Sequence, residues 1–137
     1  MSSIWVAVNS YAFFIALVAG SFINLAADRL PRGESLFWPR SHCRGCSRQL
    51  NVIDLLPVAG YVIRGGRCAT CRTPIGPSAP IIEALCGAST LVAVEALEPP
   101  RGALVGLALV TAIGVGTVAL AFRRSRPRAG QASRAPS

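Results

Sequence analysis

The stretch IWVAVNSYAFFIALVAGSFINLAA, residues 4–27, runs for 24 residues without a formal charge. About 20 residues of helix cross the hydrocarbon core of a bilayer, so this run is long enough to span one. It exceeds the apolar core of a cleaved signal peptide, and Met1-Ser2-Ser3 ahead of it carries no basic residue. Two more apolar stretches follow. Residues 81–97 are interrupted only by Glu83 and Glu95, and residues 102–122 hold no charge. A soluble buried helix would account for any one of them. Three in a chain of 137 residues leave little water-soluble core. The expected fold is an all-α membrane protein with three transmembrane helices, at about 4–27, 80–97 and 102–122, and a loop at about 28–79 between the first two. No internal repeat is evident.

The charge follows the same division. Fourteen arginines and no lysine stand against six acids, a formal net charge of +8. Such a balance often marks a nucleic-acid binder, but aromatic residues are only 7% of the chain, too few for base-stacking platforms. Eight arginines (Arg29, Arg32, Arg40, Arg44, Arg48, Arg64, Arg67 and Arg72) lie in the loop, and five (Arg123, Arg124, Arg126, Arg128 and Arg134) in the tail. The other flanks hold only Arg101. Positive charge collects on cytoplasmic flanks, so the loop and C-terminus are expected in the cytoplasm and the N-terminus outside. The basic balance then reads as topology, with the lipid bilayer and not nucleic acid as partner. Residues 123–137 read as a disordered tail against anionic headgroups.

The chemistry concentrates in the loop. Cys43-Arg44-Gly45-Cys46 and Cys68-Ala69-Thr70-Cys71 are two CxxC pairs with 21 residues between them. Each pair turns two sulfurs toward one centre, and two pairs supply the four tetrahedral ligands of a structural zinc ion. The same spacing also suits a redox dithiol pair or unligated thiols, although a cytosolic loop disfavours disulfides. A four-cysteine zinc site leaves no position for water, so it folds the loop and catalyses nothing itself. His42 is a reserve ligand or a surface residue, and Cys86, inside the second span, reads as packing.

These residues resemble a family. Gly20-Ser21-Phe22-Ile23-Asn24, Arg29-Leu30-Pro31-Arg32-Gly33-Glu34-Ser35 and Pro39-Arg40-Ser41-His42-Cys43 occur in this order. Asp54, Pro57, Arg64-Gly65, the second cysteine pair, Ile75, Pro80 and Glu83 follow. Together they resemble the N-terminal part of bacterial prepilin peptidases, the type IV leader peptidase and N-methyltransferase enzymes, over about residues 18–87. The resemblance implies a first span and a zinc-bearing cytoplasmic loop in the bacterial inner membrane, associated with S-adenosylmethionine-dependent methylation of the new N-terminus of pilin-like proteins. It also implies that leader cleavage belongs to a separate C-terminal region with two aspartates, one in a Gly-x-Gly-Asp motif. The only aspartates here are Asp28 and Asp54, both in the zinc-loop part. Gly114-Val115-Gly116-Thr117 resembles that motif faintly, with Thr where the acid belongs, and Gly-x-Gly is also ordinary packing in a membrane helix. The expectation is a chain that carries the methylating half without its own peptidase half, residues 1–101 forming the family-like domain.

Within that resemblance Glu83 is the candidate catalytic residue, an acid in an apolar helix placed to receive a substrate amine or its proton; snorkelling or an arginine partner is the structural alternative. Gly20, Asn24 and Arg29 are candidate substrate-binding residues, and Cys43, Cys46, Cys68 and Cys71 the metal ligands. Asn24 also suits interhelical bonding, and Arg29 interfacial anchoring. Ser78-Ala79 stand where the family usually has Arg-Tyr before the proline matching Pro80, which argues against full activity. Two readings follow: a stand-alone methyltransferase module with prepilin-like proteins and a separately encoded peptidase half as partners, or a non-catalytic, truncated or decayed homologue that acts in binding or assembly.

Overall fold

The computed structural model describes residues 3–98 and 100–125. Four helices order it: α1 (Ser3–Arg29), α2 (Ala59–Ile63), α3 (Ser78–Ala96) and α4 (Arg101–Ser125). A 3-10 turn, Leu30–Arg32, continues from α1. Among the described residues there is no strand, only two isolated antiparallel bridges, His42 with Gln49 and Arg67 with Pro74. α1, α3 and α4 are each long and apolar enough to cross a membrane, so the chain is an all-α, multi-pass membrane protein with its cysteine loop between the first and second spans.

The helix ends depart from the expected spans by up to three residues. Asp28 and Arg29 carry α1 past Ala27 until Pro31 ends the run, and Gly33 closes it in the left-handed region (φ 68°), its N–H on the Leu30 carbonyl at 3.0 Å. α3 starts at Ser78, just after Pro77, and admits Pro80 because a first-turn N–H needs no helical partner. α4 runs on to Ser125, with Arg123 and Arg124 in its last turn, where cations complement the helix dipole. Those residues are therefore helical and not part of a disordered tail; residues 126–137 of that expected tail lie outside the described residues.

α1 packs on α3, α3 on α4, and α4 also on α1. The contacts depend on small residues. A Cβ on Gly20 would lie 2.7 Å from the Glu83 Cα, and one on Gly87 would lie 2.7 Å from Leu17 Cδ2. A Cβ on Gly102 would meet the Ala93 carbonyl at 2.8 Å. The buried apolar set is correspondingly small in volume: Ala16, Ala26, Cys68, Cys86, Ala93 and Val94. Large side chains such as Phe14, Phe22, Leu107 and Val115 point outward. Lipid supplies no hydrophobic drive between helices, so close backbone approach replaces a large-residue core.

Candidate metal centre and buried carboxylate

Two ten-residue hairpins build the cysteine cluster, and they repeat one hydrogen-bond pattern at an offset of 25 residues. In the first, the Cys43 N–H donates to the Arg48 carbonyl (2.9 Å), Ser47 to Cys43 (2.8 Å) and Leu50 to Ser41 (2.9 Å). In the second, Cys68 donates to Thr73 (3.0 Å), Arg72 to Cys68 (3.2 Å) and Ile75 to Gly66 (2.7 Å). Ser47 and Arg72, each just after the second cysteine of its pair, take the same left-handed turn at φ 57° and 59°. This is a structural repeat, contrary to the expectation of none. Only the cysteines are identical between 41–50 and 66–75, so the backbone carries the similarity.

All four sulfurs lie within 4.8 Å of one another, with Cys43 and Cys71 Sγ 3.6 Å apart and Cys46 and Cys68 Sγ 3.9 Å apart. Sulfurs 2.3 Å from a tetrahedral zinc ion sit about 3.8 Å apart, so the spacing fits the ion. A cation also resolves the charge. Backbone N–H groups of Cys71 and Thr70 bring the Cys68 thiol down to about 6. The Thr73 hydroxyl and N–H lower Cys71. For Cys46 the Arg48 N–H favours the thiolate, but desolvation and the neighbouring thiols push it up to about 11. Hydrogen bonds favour the thiolate form at Cys68 and Cys71, and the crowded thiols disfavour it at Cys46; a divalent ion would offset that. Gly45 closes the cluster, since a Cβ there would lie 2.6 Å from Thr73 Oγ1 and 3.4 Å from Cys71 Sγ. His42 stays outside it, exposed, with Nδ1 3.0 Å from the Arg40 carbonyl.

Asp54 ties this centre to the rest of the loop, a role sequence reading missed. Its carboxylate accepts from Arg48 and Arg64, each at 2.6 Å, and from the Asn51 N–H at 3.1 Å. The Asp54 side chain is only 6% exposed. Desolvation would raise its pKa, but the Asn51 N–H and the two guanidinium groups together hold the carboxyl below the usual range. Asp54 first, and the nearby Cys68 sulfur after it, favour the charged form of Arg48, which puts this guanidinium in the outer shell of the metal site. Asp28, the other aspartate, pairs in the open with Arg32 and with Arg44 of the first hairpin.

Glu83, 5% exposed, lies where α1, α2 and α3 meet. Gly20 packs on its Cα, and the Val58 N–H donates to its Oε2 at 2.6 Å. Val58 leads into α2 at φ 55°, ψ −50°, a sparsely populated conformation for a β-branched residue that costs on the order of 1–3 kcal/mol and persists only where surroundings impose it. Gly60 sets the other side, because a Cβ there would lie 2.6 Å from the Ile53 carbonyl. The structure thus brings Gly20 and Glu83 together. Asn24 is half-buried and makes no side-chain hydrogen bond among the described residues. Arg29 is 6% exposed and turned into the loop, donating to the Ser35 and Pro39 carbonyls at 2.7 and 2.8 Å. Its donors hold the loop, which accounts for Arg29 without a ligand.

Three remaining residues have local roles. Cys86 is fully buried in α3. Thr117 donates to the Ile113 carbonyl of its own helix at 2.7 Å. Glu95 accepts from the buried Asn9 at 2.6 Å, joining α1 and α3 at the end opposite Glu83.

With this geometry in view, comparison with known proteins gives a consistent result. The family model described as "Bacterial Peptidase A24 N-terminal domain" matches residues 14–97, from within α1 to the end of α3. The prepilin leader peptidase/N-methyltransferase of Burkholderia pseudomallei (strain K96243) is 32% identical over 129 residues, covering 76% of this chain and 42% of that protein. The Klebsiella pneumoniae protein of the same name is 32% identical over 109 residues, covering 75% and 48%. The Bacillus subtilis (strain 168) one is 33% identical over 78 residues, covering 55% and 32%. The chain therefore spans less than half the length of these curated relatives. No solved structure matches.

Proposed function

Because this chain belongs to the family of bacterial peptidase A24 N-terminal domains, we propose that it is a methyltransferase-like module of a prepilin-processing system in the bacterial inner membrane, its loop and C-terminus cytoplasmic. The observation that carries the reading is Glu83. A carboxylate is costly inside an apolar helix and is retained there for a partner or a reaction. Here it is held by one backbone N–H beside a metal-ordered loop. The substrate class is the new N-terminal amine of a prepilin-like protein.

In this reading Glu83 holds the incoming ammonium and takes its proton at the carboxylate oxygen that Val58 does not engage. The free amine is then the nucleophile for methyl transfer. Gly20 keeps the approach to Glu83 narrow, and Asn24 offers an amide to the substrate backbone. S-adenosylmethionine supplies the methyl group when bound. No strand with a glycine-rich turn is present among the described residues, so its binding falls to the spans and the loop. Zinc supplies loop order and no chemistry.

Leader cleavage is not assigned to Asp28 or Asp54. An aspartyl pair shares a proton between adjacent carboxylates, whereas each of these is neutralised by arginines. A separately encoded peptidase half as partner belongs to the same proposal. A second reading, a non-catalytic binding or assembly module, draws on the 5% exposure of Glu83 and its existing bond to Val58.

Purified protein in detergent, incubated with a cleaved pilin peptide and methyl-labelled S-adenosylmethionine, separates the two. Label on the peptide's N-terminal amine, lost in Glu83→Gln with zinc content unchanged, supports the enzyme. No label, even with a peptidase supplied, leaves the binding module.

A further inference from the structure

The loop displays apolar side chains that neither the metal centre nor the bundle uses. Phe37 is 83% exposed, Trp38 72%, Val52 78%, Val62 68% and Ile63 61%. In the same loop Arg40, Arg67 and Arg72 are exposed and pair with no acid among the described residues. Apolar area left in water costs about 25 cal/mol per Å², so a surface of this composition calls for an occupant that is apolar and carries negative charge at its rim.

The hydrogen bonds fix where this surface sits. α3 has 19 residues, about 28 Å of helix, no more than the hydrocarbon core it must cross. Its first turn therefore lies at the hydrocarbon boundary, and Glu83, five residues on, lies about 7.5 Å further in. The Val58 N–H donates to that carboxylate, which places the start of α2 at membrane depth rather than out in water. Backbone at that depth must be hydrogen-bonded internally. It is: Gly60 donates to Leu56 (2.8 Å), Val62 to Val58 (3.2 Å) and Arg64 to Gly60 (3.1 Å). On the other side, Arg29 in the last turn of α1 grips the Ser35 and Pro39 carbonyls. That grip holds Phe37 and Trp38 near the helix end, at the level where aromatic rings favour the interface.

We propose that the loop makes a second membrane contact: α2 and the Phe37–Trp38 turn insert into the leaflet at the shared end of α1 and α3, and Arg40, Arg67 and Arg72 engage anionic phospholipid headgroups. At the same end of the bundle Phe22, Leu30 and Ile81 are exposed as well. The metal hairpins are thereby held against the membrane surface.

The test uses the full chain, one copy per nanodisc, in phosphatidylcholine with phosphatidylglycerol. Trp5→Phe leaves Trp38 as the sole tryptophan; Val62→Trp in a Trp5→Phe, Trp38→Phe background reports on α2. Free N-acetyltryptophanamide in the same buffer is the aqueous reference, and bound zinc confirms each loop is folded. At positions 38 and 62 the emission should be blue-shifted from the reference, lose most of its quenching by iodide, and be quenched by lipids brominated high on the acyl chain. Iodide quenching equal to the reference overturns the proposal. Shielding from both iodide and bromolipid also overturns it, since protein then covers the surface. In pure phosphatidylcholine the emission should shift back toward the reference; an unchanged spectrum removes the headgroup contact from the account.

Discussion

Where α1 meets α3, Gly20 and Gly87 sit at close approaches, positions with no side chain to hold anything. In the loop between them the opposite is true: four sulfurs, a doubly paired aspartate and a guanidinium on two carbonyls fix the backbone atom by atom. The contrast follows from the solvents. In lipid the helices satisfy their own backbones and gain by close approach. A segment with two isolated bridges and one five-residue helix has no such internal order, and is held instead by ion pairs and by a cysteine cluster whose spacing fits a zinc ion. Glu83 is where the two regimes touch, with a bundle glycine on its Cα and a loop N–H on its carboxylate.

The comparison is broken most severely by removing the metal. Structural zinc sites contribute an apparent binding energy of about 10–16 kcal/mol. Cys43→Ser with Cys68→Ser should abolish zinc binding and open the loop to protease, while helical circular dichroism in detergent stays near the parent. Loss of the helices as well would show that bundle and loop are one unit.

A smaller break is Asp54→Asn, which weakens both arginine pairs and should cost the loop about 1.5–3 kcal/mol, as hydrogen bonds to charged groups do. Its pH dependence has a definite sign. The folded carboxyl lies below its ordinary range, so its contribution is complete above about pH 4, the unfolded value, and is lost as pH falls through the lower folded value. The gap in denaturant midpoint between parent and Asp54→Asn should therefore be constant near neutrality and close in acid. A gap that widens in acid contradicts the pairing.

In the bundle, Gly20→Ala places a Cβ 2.7 Å from the Glu83 Cα and should cost about 1–3 kcal/mol by overpacking. Gly116→Ala meets nothing within 4 Å and should be neutral or slightly stabilising. Thermal unfolding in detergent compares them, and equal effects would remove the close-approach account. A smaller loss than that of Gly20→Ala is expected from Asn9→Leu. It deletes the bond to Glu95 and should cost about 0.6 kcal/mol, the mean for an interhelical hydrogen bond.

Legibility in the sequence divides along the same line. The spans were readable because hydropathy over some 20 residues is a bulk property. The four cysteines were readable because ligand spacing is local. Glu83 stood out as an acid in an apolar run, and Gly20 came from the family resemblance. The hairpin repeat was hidden because it resides in backbone bonds, with only the cysteines in common. α2 was hidden because five residues carry no periodicity. Asp54 depends on partners six and ten positions away, and the Asn9–Glu95 bond joins residues 86 apart; neither distance has a sequence signature. Arg29 sits at a helix end where a basic residue suggests an interfacial anchor, and only the loop's return shows what it grips.

The central claim, that four cysteines of the loop hold one zinc ion beside the buried carboxylate, is tested most directly by metal analysis with X-ray absorption at the zinc edge on the purified chain. The account predicts one zinc per chain in a shell of four sulfurs at about 2.3 Å. Metal-free protein with an intact loop, or a shell containing nitrogen or oxygen, would contradict it.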